Sequence, residues 1–243
     1  MIKTIKTMSK QEKERYTVPR KVQDVIPVRR IWPDGIFLVG NKFSKTYKFS
    51  DINYLVASRE DKESMFLTYS ELLNSLDSGA VTKITINNRR MNQANFETSI
   101  LMPMQGDFRD EYRGEYNQML LDKATGANGI MQEKYITISV VKKDVEEARA
   151  YFARVGADLI SHFAALGSKC VELDATERLR ILHDFYRQGE ESEFVFNARE
   201  MMKRGHSFKD YICPDGIEKN SDYLKLGDKF CRVLFLKDYA SYI

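Results

Sequence analysis

The sequence predicts an α+β (or α/β) fold, a mixed sheet with helices packed mainly on one face and opened by a β-hairpin. Three observations carry this expectation. Period-two alternation brackets a Pro33-Asp34-Gly35 turn, apolar residues recur at helical spacing in two long middle segments, and strand-like and helix-like stretches alternate as βαβα over 81–189. Composition permits it, since 243 residues at 43% hydrophobic and 12% aromatic can bury one large core or two small ones.

In chain order, "VIPVRRIWPDGIFLVGNKFSKTYKFSDI" alternates apolar and polar residues on both sides of its Pro-Asp-Gly turn, which predicts a hairpin and a third strand near 46–49. Ser58 followed by Asp61 has the spacing of a helix start, and Met65, Phe66, Tyr69, Leu72, Leu73 and Leu76 give an amphipathic helix ending near Gly79. "VTKITINNRR" reads as a strand with Lys83, Arg89 and Arg90 on its wet side or end. A helix over 107–125 follows, stopped by Gly126 and Gly129, and "KYITISVV" is the best strand in the chain because β-branched and aromatic residues dominate it. Asp144 with Glu147 starts a helix whose stripe is Val145, Ala148, Phe152, Val155, Leu159, Phe163 and Leu166. After "KCVEL", Asp174 with Glu177 starts another, carrying Leu179, Leu182, Phe185 and Tyr186. The region 190–220 is expected to be a connection and a sub-boundary, with a helix over 194–204 and "CPDGIEKNSD" as a polar turn. Two strands, 223–226 and 230–236, close the sequence around Gly227-Asp228, and Val233, Leu234, Phe235 and Leu236 read as a buried strand leaving the core.

Charge is distributed unevenly. Residues 1–30 hold Lys3, Lys6, Lys10, Lys13, Arg15, Arg20, Lys21, Arg29 and Arg30 against Glu12, Glu14 and Asp24, a balance of +6, so the total of +3 leaves −3 for the rest. A basic leader over 1–21 on a mildly acidic body over 22–243 suits an anionic surface, either the inner leaflet or nucleic acid. A solubilising tail explains the same charges. No uncharged apolar stretch approaches the roughly 20 residues of a membrane span, and the leader lacks the apolar core of a secretory signal. Cys170, Cys213 and Cys231 are widely spaced without a CxxC pair, as expected of reduced, mostly buried thiols.

Motifs for chemistry are missing from the sequence. There is no G-x-x-x-x-G-K-[ST] loop, no G-x-G-x-x-G, no H-E-x-x-H and no G-x-S-x-G, and "GANGIM" has neither the lysine nor the hydroxyl of a phosphate cradle. The acidic set Asp107, Asp110, Glu111 and Glu115 is interleaved with Arg109 and Arg113, so helical ion pairs explain it without a metal. His183-Asp184, between Arg180 and Arg187, reads as a solvated polar face, and His162 as packed within its helix. Tyr16 and Trp32 lie near the basic leader, where Trp32 is expected to pack in the hairpin rather than stack on bases.

Four stretches, "VQDVIPVRRIWPDGIF", "KTYKFSDINYLVASREDKESMFLTYSELLNSLDS", "EKYITISVVKKDVEEARAYF" and "DYLKLGDKFCRVLFLKDYAS", resemble the amino-terminal portion of the cytoplasmic ATPases of conjugative type IV secretion systems, in the form found on conjugative elements of Gram-positive bacteria. The resemblance implies a non-catalytic docking domain followed by a RecA-like motor, the join between the two falling where this sequence ends. It further implies no cofactor in this part, with ATP and Mg belonging to the motor. The partners it implies are inner-membrane components of the transfer complex, the motor itself, an anionic membrane surface and further copies of the domain, with DNA ranked lower. The location it implies is cytoplasmic, peripheral to the inner face of the membrane. The nine basic residues of 1–30 are the candidate anionic-surface contacts. A nucleic-acid-handling module using the leader with Lys83, Arg89 and Arg90 is the alternative.

Overall fold

The structure, a computed structural model, describes residues 19–52, 54–90, 101–126 and 130–236. It is an α+β fold around a six-stranded sheet in the order β1 (Val28–Ile31), β2 (Phe37–Val39), β3 (Lys42–Phe49), β5 (Ile130–Val140), β4 (Val81–Arg90), with β6 (Cys170–Glu172) also pairing β3. Every pairing is antiparallel, so the sheet is not mixed. The alternation of strands and helices in the sequence does not produce parallel crossovers because the chain re-enters the sheet by long hairpins, β4 returning directly beside β5.

The opening hairpin forms as expected. Gly35 takes φ 78°, Gly35 N donates to Trp32 O at 3.0 Å and Trp32 N donates to Ile36 O at 2.9 Å. The Trp32 ring packs on Phe43 with centroids 5.7 Å apart. β3 then carries two short strands on one edge, β2 pairing Lys42 to Ser44 and β6 pairing Tyr47 to Phe49.

Strand alternation divides the core in two. Phe43 and Tyr47 share one face with Ile136, Ile138 and Val140, and this face is covered by α4 (Val145–Ala165) and by α2 (Arg59–Asn74). Asp144 caps α4, its side chain accepting from Glu147 N at 2.9 Å, and the expected stripe is buried from Ala148 to Phe163. α4 comes closest at Gly156, where an added Cβ would stand 2.8 Å from both the Tyr47 hydroxyl and a Glu172 carboxylate oxygen. Burial, and then Glu172, push the Tyr47 phenol well above its ordinary range. α2 starts at the Ser58 cap but ends at Asn74, short of Gly79. Leu72 is its one fully buried residue, while Phe66 is 67% exposed, so only part of the expected stripe faces the core.

The second core lies on the opposite face. Phe37 pairs with Ser44 and points away from Tyr47, and together with Ile26 and Val28 it packs against α5 (Ala175–Tyr186). Helices therefore lie on both faces rather than mainly on one. Phe194, Ile212 and Cys213 join this core, and Lys209 Nζ donates to Gln23 O and Ile26 O, each at 2.8 Å, tying the 190–213 segment to α1 (Val22–Val25). The helix expected over 194–204 shrinks to α6 (Ala198–Met201), and the expected polar turn contains a strand. That strand, β7 (Ile217–Lys219), forms a small antiparallel sheet with β8 (Leu224–Leu226) and β9 (Lys229–Cys231). The last strand stops at Cys231. Val233, Leu234, Phe235 and Leu236 are 75%, 86%, 84% and 68% exposed, so the apolar run does not enter a core; β9 is the edge of its sheet and no further strand pairs with it among the described residues.

Two outcomes follow. At Gly35 an added Cβ would meet Leu173 O at 2.0 Å on a backbone already in the left-handed region, so Gly35→Ala should cost about 3 kcal/mol or more, read from the urea midpoint. Cys170 and Cys213 are buried and free, and burial, reinforced by Glu172, pushes the Cys170 thiol up to about 11. Iodoacetamide at about pH 8 should modify the half-buried Cys231 first and the other two only as the protein unfolds. Because native Cys170 keeps its proton to higher pH than the unfolded thiol, its contribution to stability is complete below 9.0 and is lost as pH rises toward about 11.

Candidate functional site

The expected anionic-surface contacts divide by position. Lys3, Lys6, Lys10, Lys13 and Arg15 lie outside the described residues, as does Tyr16. Arg20 and Lys21 are exposed ahead of α1, and Arg29 and Arg30 are exposed on β1, the edge strand, at a register shift between Val28 and Arg30. Charge and irregularity on an edge also deter edge-to-edge pairing, so these two arginines have a structural use of their own. Lys83 is exposed on β4, and Arg89 and Arg90 end that strand.

The polar clusters resolve into specific roles. Arg113 bridges Asp107 at 2.5 Å and Asp110 at 2.6 Å at the start of α3 (Asp110–Gly126). The Arg113 hydrogen bond holds the Asp107 carboxyl below its ordinary range, and the Gln105 amide followed by Arg113 does the same for Asp110. This is the ion-pair arrangement expected from the spacing. His183 and Asp184 overturn the expectation of a solvated face, being only 4% and 7% exposed. The reason is tertiary: the segment after α5 folds over it, and the Phe194 ring lies 5.1 Å from the His183 ring.

Two surface features stand out. The first is an arm. β4 and β5 continue for four pairs beyond Lys134, where β3 ends its pairing with β5, which projects the hairpin about 13 Å past the sheet. α3 lies between these strands in sequence; Phe108, just ahead of it, is 83% exposed, and Tyr112, in its first turn, 67%. The stretch before α3 is fastened to it, Met102 N donating to Asn117 Oδ1 at 2.8 Å and Asn117 Nδ2 donating to Met102 O at 2.9 Å.

The second is a cleft of about 500 Å³ between α5 and the sheet face opposite α4. Its sheet wall carries the hydroxyls of Ser44, Thr46, Thr137 and Ser139, with Lys83 among the lining residues. Its helix wall is Ile181, Leu182, Phe185 and Tyr186. Arg178 also lines it and is buried. Arg178 Nη1 donates to Gly35 O and Ser44 O, both at 2.7 Å, Nη2 donates to Ser44 Oγ at 3.1 Å, and the guanidinium lies 4.0 Å from the centre of the Phe37 ring. Burial lowers its affinity for its proton, yet a guanidinium stays charged at neutral pH.

Sequence reasoning singled out Arg180 and Arg187 and passed over Arg178. The signal was present, because Arg178 occupies the i, i+4, i+7 stripe with Leu182 and Phe185. Arg178→Met should orphan two carbonyls and destabilise the fold by about 2–4 kcal/mol, while Arg180→Met, on an exposed position, should change the thermal midpoint little. No family model matches the chain, and no curated protein matches it.

Proposed function

We propose that this chain is a non-catalytic docking domain, the amino-terminal part of a conjugative transfer ATPase that seats the motor on the inner-membrane transfer complex. The sequence resemblance motivates the reading, and the observation that carries it is the arm. Phe108, just ahead of α3, and Tyr112, in its first turn, lie between the two extended strands in sequence, are 83% and 67% exposed and belong to neither core. Large aromatics on a braced, protruding element are anchors for a protein partner. The exposed Val233, Leu234, Phe235 and Leu236 add a second apolar segment to the surface. No helix among the described residues is long and apolar enough to cross a membrane, so attachment in this reading runs through partner proteins and the basic leader.

The test is binding of the full chain to membranes holding the transfer complex. Phe108→Ser combined with Tyr112→Ser should weaken binding about tenfold or more with an unchanged thermal midpoint. Deleting residues 1–21 should weaken attachment to anionic vesicles in a salt-dependent manner. Unaltered membrane binding by the double variant, together with tight single-stranded DNA binding on a steep salt slope, would replace this reading with nucleic-acid handling.

A further inference from the structure

The cleft beside α5 holds a buried cation with no counter-ion among the described residues. All the hydrogen-bond partners of Arg178 are neutral, Gly35 O, Ser44 O and Ser44 Oγ, and among the described residues no carboxylate pairs with it. Three of the guanidinium's five N–H donors are used in these bonds. The remaining two, Nε–H and one Nη2 hydrogen, have no partner among the described residues, and two neighbouring guanidinium donors match the two oxygens of a carboxylate or phosphate. Uncompensated buried charge is costly, and an anion arriving at that edge offsets the cost.

The rest of the cleft is amphipathic. Ile181, Leu182 and Phe185 form an apolar wall, opposite hydroxyls that both donate and accept, among them Thr46 Oγ1 and Thr137 Oγ1 joined at 2.9 Å. Lys83 supplies a second positive charge among the lining residues. The volume falls within the ordinary range for small-molecule sites of roughly 300–1,000 Å³.

We propose that this cleft binds a small amphiphilic anion, its carboxylate or phosphate head on the unused donors of Arg178 and its apolar body along Ile181, Leu182 and Phe185. The site is independent of the arm and of the docking role. The preference for an anionic head comes from Arg178 and Lys83; the preference for an apolar body comes from the helix wall.

The full chain is titrated calorimetrically with octanoate, octyl phosphate, octanol and octyltrimethylammonium. Both anions should bind one to one and raise the thermal midpoint, and the tighter of the two assigns the head as carboxylate or phosphate. Octanol and the cation should bind at least about tenfold more weakly, ~1.4 kcal/mol. Ser139→Trp, which fills the cleft from the sheet side, and Lys83→Glu should each weaken anion binding. Equal binding of octanol, undiminished binding by both variants, or no anion binding tighter than about 10 mM would overturn the proposal. The comparison of heads uses the unaltered protein, so it decides the matter even if a variant fails to fold.

Discussion

The fold depends on how one interrupted edge is closed. β3 has β2 on the first half of an edge and β6 on the second, and neither reaches the other, so the backbone between them needs partners from outside the ladder. Leu173 N donates to Thr46 O at 3.1 Å, Ala175 N donates to Pro33 O at 3.3 Å, and Arg178 takes the carbonyls of Ser44 and Gly35 together. A lysine could not do the last of these with the same geometry, because it lacks the planar fork that serves two acceptors while stacking on an aromatic ring. The capping box of Asp174 and Glu177 fixes the first turn of α5 and with it the position of that fork. The opening turn, the sheet edge and the α5 start are therefore one construction, and Gly35 has no side chain because Leu173 occupies the space.

That construction leaves the two sheet faces unequal. On one, α4 and α2 seal Tyr47, Ile136 and Ile138 from water and bring Lys45 to Glu172 at 2.5 Å beside the Gly156 crossing. On the other, α5 is held over β1 and β2 by its contacts to the turn, and so does not extend over the hydroxyl-bearing parts of β5 and β4. Those positions are Thr and Ser because the residues face water in the cleft while keeping β propensity. The same amino acids under α4 would have orphaned their hydroxyls, at roughly 1–3 kcal/mol each.

How much of this the sequence disclosed follows from the range of each interaction. Local signals read well: the Pro-Asp-Gly turn, the Ser58, Asp144 and Asp174 caps and the α4 stripe all depend on neighbours within a few residues, and each is where the spacing puts it. Pairing read where a short turn joins the strands, as in β1–β2 and β8–β9, but not for β3–β5 and β4–β5, whose partners are distant in sequence, because alternating elements are equally consistent with parallel crossovers and antiparallel hairpins. Burial of polar residues did not read for the same reason. His183 and Asp184 are covered by a segment that carries no strong periodicity, and Val233 to Leu236 have strand character but pair with no strand among the described residues. Arg178 was legible only as an anomaly, a cation on an apolar stripe, and its role required knowing that β3 has a broken edge.

The two kinds of attachment surface differ in how they respond to conditions, and this sets their division of labour in the docking reading. Each basic residue near an anionic leaflet contributes on the order of 1 kcal/mol and weakens with salt over a Debye length of about 8 Å. An exposed aromatic that becomes fully buried contributes about 1.5–3 kcal/mol and is insensitive to salt. In that reading, charge on the leader would concentrate the chain at a surface without choosing a partner, whereas the exposed Phe108 and Tyr112 would supply shape and contact area for a single complementary pocket. A domain relying on the leader alone would detach as ionic strength rises and would not distinguish membrane from nucleic acid. In the docking reading selectivity comes from the arm, and the hydrogen bonds that fasten Met102 to Asn117 of α3 reduce the ordering cost of engagement.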